Sequence, residues 1–225
     1  MTITPPPINA PGPLVWLVLY GSHAHGTATP ASDEDWRGVY QLPNRDFLGL
    51  DTPKRTFEQE PDICAWEMAH FCRLLLGGNP NIVGAAFISD DCVAVSGTFS
   101  RGVCAMRRSF VTEEARRAYL GWVHTELRHG PDKLTPKRLS HVPRLLWEIE
   151  SGIRTGEIVV RPDGERLATI RAIKTGEMPY DEAMSLSRSL LDRVQALDTS
   201  HLPEPPVAAV EALLHDCRRQ DGGPV

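Results

Sequence analysis

The hydrophobic pattern changes character along the chain. Leu14 to Tyr20 (LVWLVLY) is a short unbroken apolar run between Pro13 and Gly21, the pattern of a buried strand. Trp36 to Leu42 (WRGVYQL) roughly alternates and predicts a second strand, and Thr56 to Ile63 predicts a third. Arg45 to Pro53 predicts a short helical or turn segment between them. From about Ala65 to Leu76 the period becomes helical. Trp66, Ala69, Phe71, Leu74 and Leu75 then share one broad stripe, and Gly77-Gly78 supplies the stop. Asn79-Pro80-Asn81 is a turn, and IVGAAF after it fits strand or helix equally.

Past about residue 108, helical spacing dominates. Thr112 is a suitable N-cap for a helix carrying Tyr119, Leu120, Trp122, Val123 and Leu127. Thr135 caps another, with Pro136 at its first position. That helix would bury Leu139, Val142, Leu145, Leu146 and Ile149 and kink at Pro143. EIVV followed by RPDGER reads as a small strand and turn. Further helices are expected over roughly 164–175, 180–197 and 206–219, with LPEPP separating the last two. Mixed elements followed by helices predict an α+β protein. The expected division is a Pro-rich lead-in at 1–13, a mixed domain at 14–108 and a helical domain at 109–225.

Composition narrows the classes. The 225 residues are 41% hydrophobic, enough for a core, and the formal net charge is -5. Such a chain has no global basic field for long nucleic acid, so any such role must rest on a local patch. No apolar run of about 18 residues predicts a membrane span. MTITPPPINAPGP has no basic region followed by an apolar stretch, so it reads as a partly disordered lead-in and not a signal peptide. Cys64, Cys72, Cys92, Cys104 and Cys217 form neither an even framework nor a C-x-x-C pair. Buried free thiols in a reducing, cytoplasmic setting are expected, without structural zinc.

The strongest chemical signal is Asp33-x-Asp35 at the edge of the second strand. Residues two apart on a strand face one side, so the two carboxylates point together and repel. A hard divalent cation answers that repulsion and keeps positions open for phosphate oxygens. Eleven residues before Asp33, Ser22 follows Gly21 at the end of the first strand. A strand ending in Gly-Ser exposes backbone N–H groups that can cradle phosphates. Each motif alone is common, and a capped turn with a solvated Asp35 is its plain alternative. The combination between two predicted strands is much less common. A third carboxylate is expected from a neighbouring strand. Glu58, Glu60 and Asp62 are candidates, with Asp62 favoured at a strand-to-helix junction, where an Asp is otherwise a common N-cap.

The segment GSHAHGTATPASDEDWRGVY resembles the hallmark of the polymerase-beta-type nucleotidyltransferase superfamily. With PDICAWEMAHFCRLLLGGNPN, a Lys/Arg-His-Arg helix and a later G-E-x-x-V segment, it is similar to the RNA-repair-pathway polymerase-beta family, over roughly residues 14 to 205. The resemblance implies a small mixed sheet with flanking helices, followed by a mostly helical domain. It implies transfer of a nucleoside monophosphate from a nucleoside triphosphate to an acceptor hydroxyl, with Mg2+ or Mn2+. Gly21 and Ser22 match the phosphate-binding turn, Asp33 and Asp35 the metal-binding pair, and Asp62 the third carboxylate. GNPNIVGAAF departs from the pattern by lacking an acidic residue after Asn81, a position of structural character.

Other residues carry weaker signals. His23 and His25 flank the turn, though an H-x-H loop more often faces solvent. Arg37 lies two residues beyond Asp35 and can pair with it. Lys137, His141 and Arg144 share one helix face at i, i+4, i+7, so Lys137 and Arg144 are candidates to bind the nucleotide. A solvated basic face explains them equally well. Trp66, Trp122 and Trp147 fit core packing better than base stacking. The acceptor is not named by the sequence: RNA, a protein and a small molecule all fit, and so does a nucleotide-binding regulator or antitoxin-like partner without transfer activity.

Overall fold

Alternating and continuous apolar runs at the front of the chain assemble into one mixed sheet. The computed structural model describes residues 3–48, 50 and 53–220. The strands are β1 (Leu14–Leu19), β2 (Trp36–Tyr40), β3 (Thr56–Gln59), β4 (Ile63–Glu67) and β5 (Val93–Val95). Their spatial order is β3-β4-β2-β1-β5. Only β2 and β4 run parallel, with Trp36 beside Ile63 and Arg37 beside Cys64. The helices are α1 (Gly21–Ala24), α2 (Met68–Leu76), α3 (Pro80–Ala85), α4 (Thr98–Ala105), α5 (Glu113–Leu127), α6 (Pro136–Leu139), α7 (His141–Thr155), α8 (Gly164–Thr175), α9 (Tyr180–Gln195) and α10 (Val207–Gln220). The α+β reading therefore holds, with a mixed sheet flanked by helices and a largely helical remainder.

The chain divides into two compact units that interleave in sequence. The sheet unit comprises 1–76, 88–106 and 206–225, and the helical unit comprises 77–87 and 107–205. The chain passes between the units at 76/77, 87/88, 106/107 and 205/206. The return of α10 to the sheet unit has no local sequence signal.

Within the sheet unit, β1 is buried on both faces. Trp16 on one face meets Phe71 of α2 edge-on at 5.5 Å, and Phe71 meets Phe99 of α4 at 5.9 Å. On the other face Leu17, Leu19, Trp36 and Ile63 form a cluster against which Ile3 and Ile8 pack. The lead-in, expected to be partly disordered, is thus a covering layer. Its backbone is held by Gln59, whose Nε2 donates to the Pro7 carbonyl at 2.8 Å and whose Oε1 accepts from Asn9 N–H at 2.9 Å. Glu67, nearly fully buried, accepts from Ala69 N–H at 2.8 Å at the head of α2 and from Arg218 of α10 at 2.6 Å. One carboxylate therefore caps one helix and docks another.

Four local expectations need correction. The helix expected from Ala65 begins only at Met68, and Trp66 lies in β4. The third strand is a hairpin, β3 and β4, joined by a turn at Glu60, Pro61 and Asp62. EIVV forms no strand; Ile158 and Val160 are buried in an irregular segment, with Val159 N–H donating to Ser151 Oγ at 3.1 Å. The kink at Pro143 is realised as a break at Ser140, between α6 and α7, which leaves Pro143 in the first turn of α7 where its missing N–H costs nothing. IVGAAF resolves as helix, because α3 is capped by Asn79, whose side chain accepts from Asn81 N–H. The turn expected over Arg45–Pro53 contains a 3-10 helix at Asn44–Phe47; Gly49, Asp51 and Thr52 lie outside the described residues.

In the helical unit α7 is central. It buries Val142, Leu145, Leu146, Ile149 and Ile153 among α5, α8 and α9. The N-caps at Thr112 and Thr135 are both present, accepting from Ala115 and Arg138 N–H. Gly78, at φ 73°, passes so close to the Ala115 backbone that a Cβ would overlap it.

Candidate functional site

The apolar run of β1 ends at Tyr20, and the chain turns sharply at Gly21, whose φ of 54° is the left-handed region. His25 N–H donates to the Gly21 carbonyl and Thr27 N–H to the Ser22 carbonyl, so α1 is one tight turn. Tyr20 N–H donates to the Asp35 carbonyl at 2.7 Å, which ties the end of β1 to the start of β2. A Cβ on Gly21 would land on the Asp35 carboxylate. Glycine is required twice there, for its dihedral and for the carboxylate that lies against it. The two motifs read separately along the sequence therefore meet in space.

Asp33, Glu34 and Asp35 form the approach to β2. Thr29 and Ser32 close a turn, Thr29 N–H donating to Ser32 Oγ at 2.9 Å. Trp36 Nε1 donates to Glu34 Oε2 at 3.2 Å, and Arg37 faces Asp35 Oδ1 at 3.7 Å. Glu34 pairs with one side of the strand and Asp35 with the other. Asp33 and Glu34 are exposed and Asp35 is half-buried.

Asp62 precedes β4 by one residue, as Asp35 precedes β2. Its carbonyl accepts from Trp36 N–H at 2.9 Å and from Arg37 Nη1 at 3.3 Å. Asp62 and Asp35 therefore stand beside each other at the heads of two parallel strands. Asp62 has φ 143°, unusual for a residue with a side chain and of the kind that gathers at functional sites. Of the other candidates, Glu58 lies opposite Cys64 and on its face of the sheet, and Glu60 is exposed in the turn. Burial pushes the Cys64 thiol up; Arg37 opposes that rise and Glu58 adds to it. The Cys64 thiol thus stays protonated at neutral pH, and the carboxylates beside it are hard oxygen donors.

Among the described residues, no three His, Cys, Asp or Glu side chains come together as a metal cage. Asp35 and Asp62, at neighbouring strand heads, are hard oxygen donors of the kind magnesium takes. That ion keeps several waters and is held through one or two carboxylates plus substrate phosphates, without an all-protein cage.

Of the other candidates, His23 and His25 belong to the Gly21 turn, and Lys137 and Arg144 to the helical unit. His25 is buried, edge-on to Tyr20 at 5.2 Å, so its first role is packing, and His23 is half-buried. Lys137 is exposed on α6. Arg144 is buried on α7, with Nη1 donating to Glu148 Oε1 at 2.6 Å. Burial lowers the His141 pKa to about 3, and Arg144, Lys137, Lys174 and Arg138 add to the drop. Lys174 and Arg138 thus join the basic group that the helix-face spacing pointed to. Lys174 comes from α8, and no local period links it to α7. His141 stacks on Trp122 with ring centroids 6.3 Å apart, consistent with packing for that tryptophan.

The model of the RNA repair pathway DNA polymerase beta family matches residues 8–157, two thirds of the chain. The chain belongs to this family. No curated protein matches it. For a polymerase-beta-family chain, the Gly21 turn, Asp33 and Asp35 occupy the segment the resemblance assigned to phosphate and metal. Membership supports a polymerase-beta-like nucleotidyltransferase activity in an RNA repair setting. The match ends just after α7, so α8, α9 and α10 lie beyond it. Among the described residues, no helix is long and apolar enough to cross a membrane.

Proposed function

We propose that this protein is a metal-dependent nucleotidyltransferase that moves a nucleoside monophosphate from a nucleoside triphosphate to the hydroxyl of an acceptor, an RNA end. The observation that carries this reading is the contact of Gly21 with the Asp35 carboxylate, which brings a phosphate-type turn and an acidic pair to one place. Family membership supplies the reaction class and the RNA context.

In this reading the Gly21-Ser22 turn receives the triphosphate through backbone N–H groups and the Ser22 hydroxyl. Asp33 and Asp35 hold the cation, Mg2+ or Mn2+, with Asp62 as the third carboxylate. The bound cation supplies charge neutralisation at the phosphate oxygens. Asp35 and Asp62 help deprotonate the acceptor hydroxyl, one of the two carboxylates receiving its single proton as the hydroxyl oxygen bonds to the α-phosphorus. The α–β bridge breaks and pyrophosphate leaves. The chain acts by positioning and charge, with no covalent intermediate required.

The test is incubation with each α-labelled nucleoside triphosphate, Mg2+ or Mn2+, and RNA carrying a free 3′-hydroxyl. Label should move with the wild type and fail to move with Asp33→Asn and with Asp35→Asn. No transfer from any triphosphate, together with no metal-dependent nucleotide binding, overturns the proposal.

A further inference from the structure

We infer that a cleft in the helical unit binds a nucleoside monophosphate unit. The cleft, about 460 Å³, lies between the end of α5 and the first turns of α9. Its size falls within the usual range for small-ligand pockets, roughly 300–1,000 Å³.

The case rests on unanswered positive charge. Most arginines of the helical unit are matched by carboxylates: Arg107 and Arg108 by Glu157, Arg116 and Arg117 by Glu113, Arg138 by Glu126, and Arg154, Arg166 and Arg193 by Glu150. The two arginines of the cleft differ. Arg128 donates only to neutral oxygens, the His124 carbonyl and Thr125 Oγ1. Arg188 makes no ion pair or side-chain hydrogen bond among the described residues. His129 lines the same cleft. Two guanidiniums and an imidazole facing one space fit a phosphate, which arginine grips through paired N–H donors.

The remaining walls fit a nucleoside better than a bare phosphate. Tyr180 offers a half-buried aromatic ring and Met184 a buried thioether, surfaces on which a base can lie. Asp181 is an exposed acceptor for a ribose hydroxyl or an exocyclic amine, and it disfavours an extended polyanion. The nucleotide can come as a free mononucleotide or as the phosphorylated end of an RNA strand. The inference concerns binding alone and does not depend on the transfer reaction proposed above.

The test uses the full-length chain in EDTA and a short 5′-phosphorylated RNA labelled at its 3′ end, read by fluorescence anisotropy. Arg128→Ala with Arg188→Ala should weaken binding at least tenfold, and Tyr180→Leu several-fold, with unchanged urea midpoints. The milder Arg128→Lys and Arg188→Lys pair should fall between. Binding is read without a metal and without a triphosphate, so failure of the transfer reaction and failure of this site are read separately. Competition by AMP assigns the site to free mononucleotide. No competition by AMP, with discrimination between 5′-phosphate and 5′-hydroxyl RNA, assigns it to a strand end. Unchanged binding in the double alanine variant overturns the inference. So does equal competition by inorganic phosphate or by an acidic peptide, or no binding by the wild type.

Discussion

The carboxylates of the helical unit and those at the strand heads of the sheet unit differ in how their charge is answered. Glu126, Glu148 and Glu150 are buried, and each is met by arginine. Glu126 accepts two bonds of 2.9 Å from Arg138, Glu148 one of 2.6 Å from Arg144, and Glu150 has guanidiniums from α7, α8 and α9 around it. Asp33 and Asp62 are exposed and make no ion pair among the described residues, and Asp35 meets only Arg37, at 3.7 Å. A buried charge cannot be left alone, so its partner is part of the architecture. Carboxylates at the surface are hydrated and need no such partner, so their charge is not committed to the fold. The same residue class is thus structural in one unit and available in the other.

Breaking a buried pair should have the largest effect. Arg144→Ala leaves Glu148 in the core with its main partner gone, and burial already raises the Glu148 pKa against the pull of Arg144. The expected cost is about 3–5 kcal/mol in urea unfolding. Replacing both residues together, Arg144→Met with Glu148→Leu, should recover most of it. A single-variant loss below about 1 kcal/mol would show that the pair is not structural.

The strand-head carboxylates should behave in the opposite way. Asp33→Asn should change folding stability by less than about 0.5 kcal/mol, as exposed substitutions usually do, and Asp35→Asn by no more than about 1 kcal/mol, the worth of its pair with Arg37. They should lower nucleotidyl transfer roughly 100- to 1,000-fold, the scale of removing one stabilising group from a transition state. Strong destabilisation by either variant would place these aspartates with the glutamates of the helical unit.

His141 extends the comparison to pH. Its folded pKa of about 3 lies below the ordinary histidine value of 6.5, chiefly through burial and then through the cations around it. The folded state therefore binds fewer protons than the unfolded chain between these values. Its contribution is present above about pH 6.5 and is lost as pH falls toward 3, with a slope of up to about 1.4 kcal/mol per pH unit. Urea midpoints from pH 7 to 4 should show this fall, and His141→Gln should flatten it. An equal slope in the variant would assign the acid sensitivity to other groups.

What the sequence discloses follows from how local each feature is. LVWLVLY is apolar without a break, and Thr112 and Thr135 act within one helical turn, so β1 and both caps are readable. Ile63 to Glu67 runs directly into the apolar helix α2, and one continuous pattern conceals the change from period two to period 3.6. At three residues, β5 is too short to show a period. The docking of α10 through Arg218 and Glu67 links residues 151 apart and leaves no local trace. At the site, Gly21 and Asp35 are readable because both belong to one segment. The pairing of Arg144 with Glu148 also lies at local spacing, i and i+4, but spacing alone does not disclose that α7 is buried there.

The half-buried Arg37–Asp35 pair should respond least. Arg37 faces Asp35 at 3.7 Å and donates from Nη1 to the carbonyls of Trp36 and Asp62 at 3.1 and 3.3 Å. A pair of this exposure contributes about 0.2–1 kcal/mol, so Arg37→Ala should lower stability by no more than that. Its effect on chemistry should run the other way in one respect. Arg37 competes with a divalent cation for the Asp35 carboxylate, and removing it should lower the Mg2+ concentration for half-maximal transfer by roughly two- to five-fold, the equivalent of that pair energy. The maximal rate should fall less than in Asp35→Asn. An unchanged or higher Mg2+ requirement would mean that Asp35 does not meet the cation and that its charge is already answered by Arg37, as Glu148 is by Arg144.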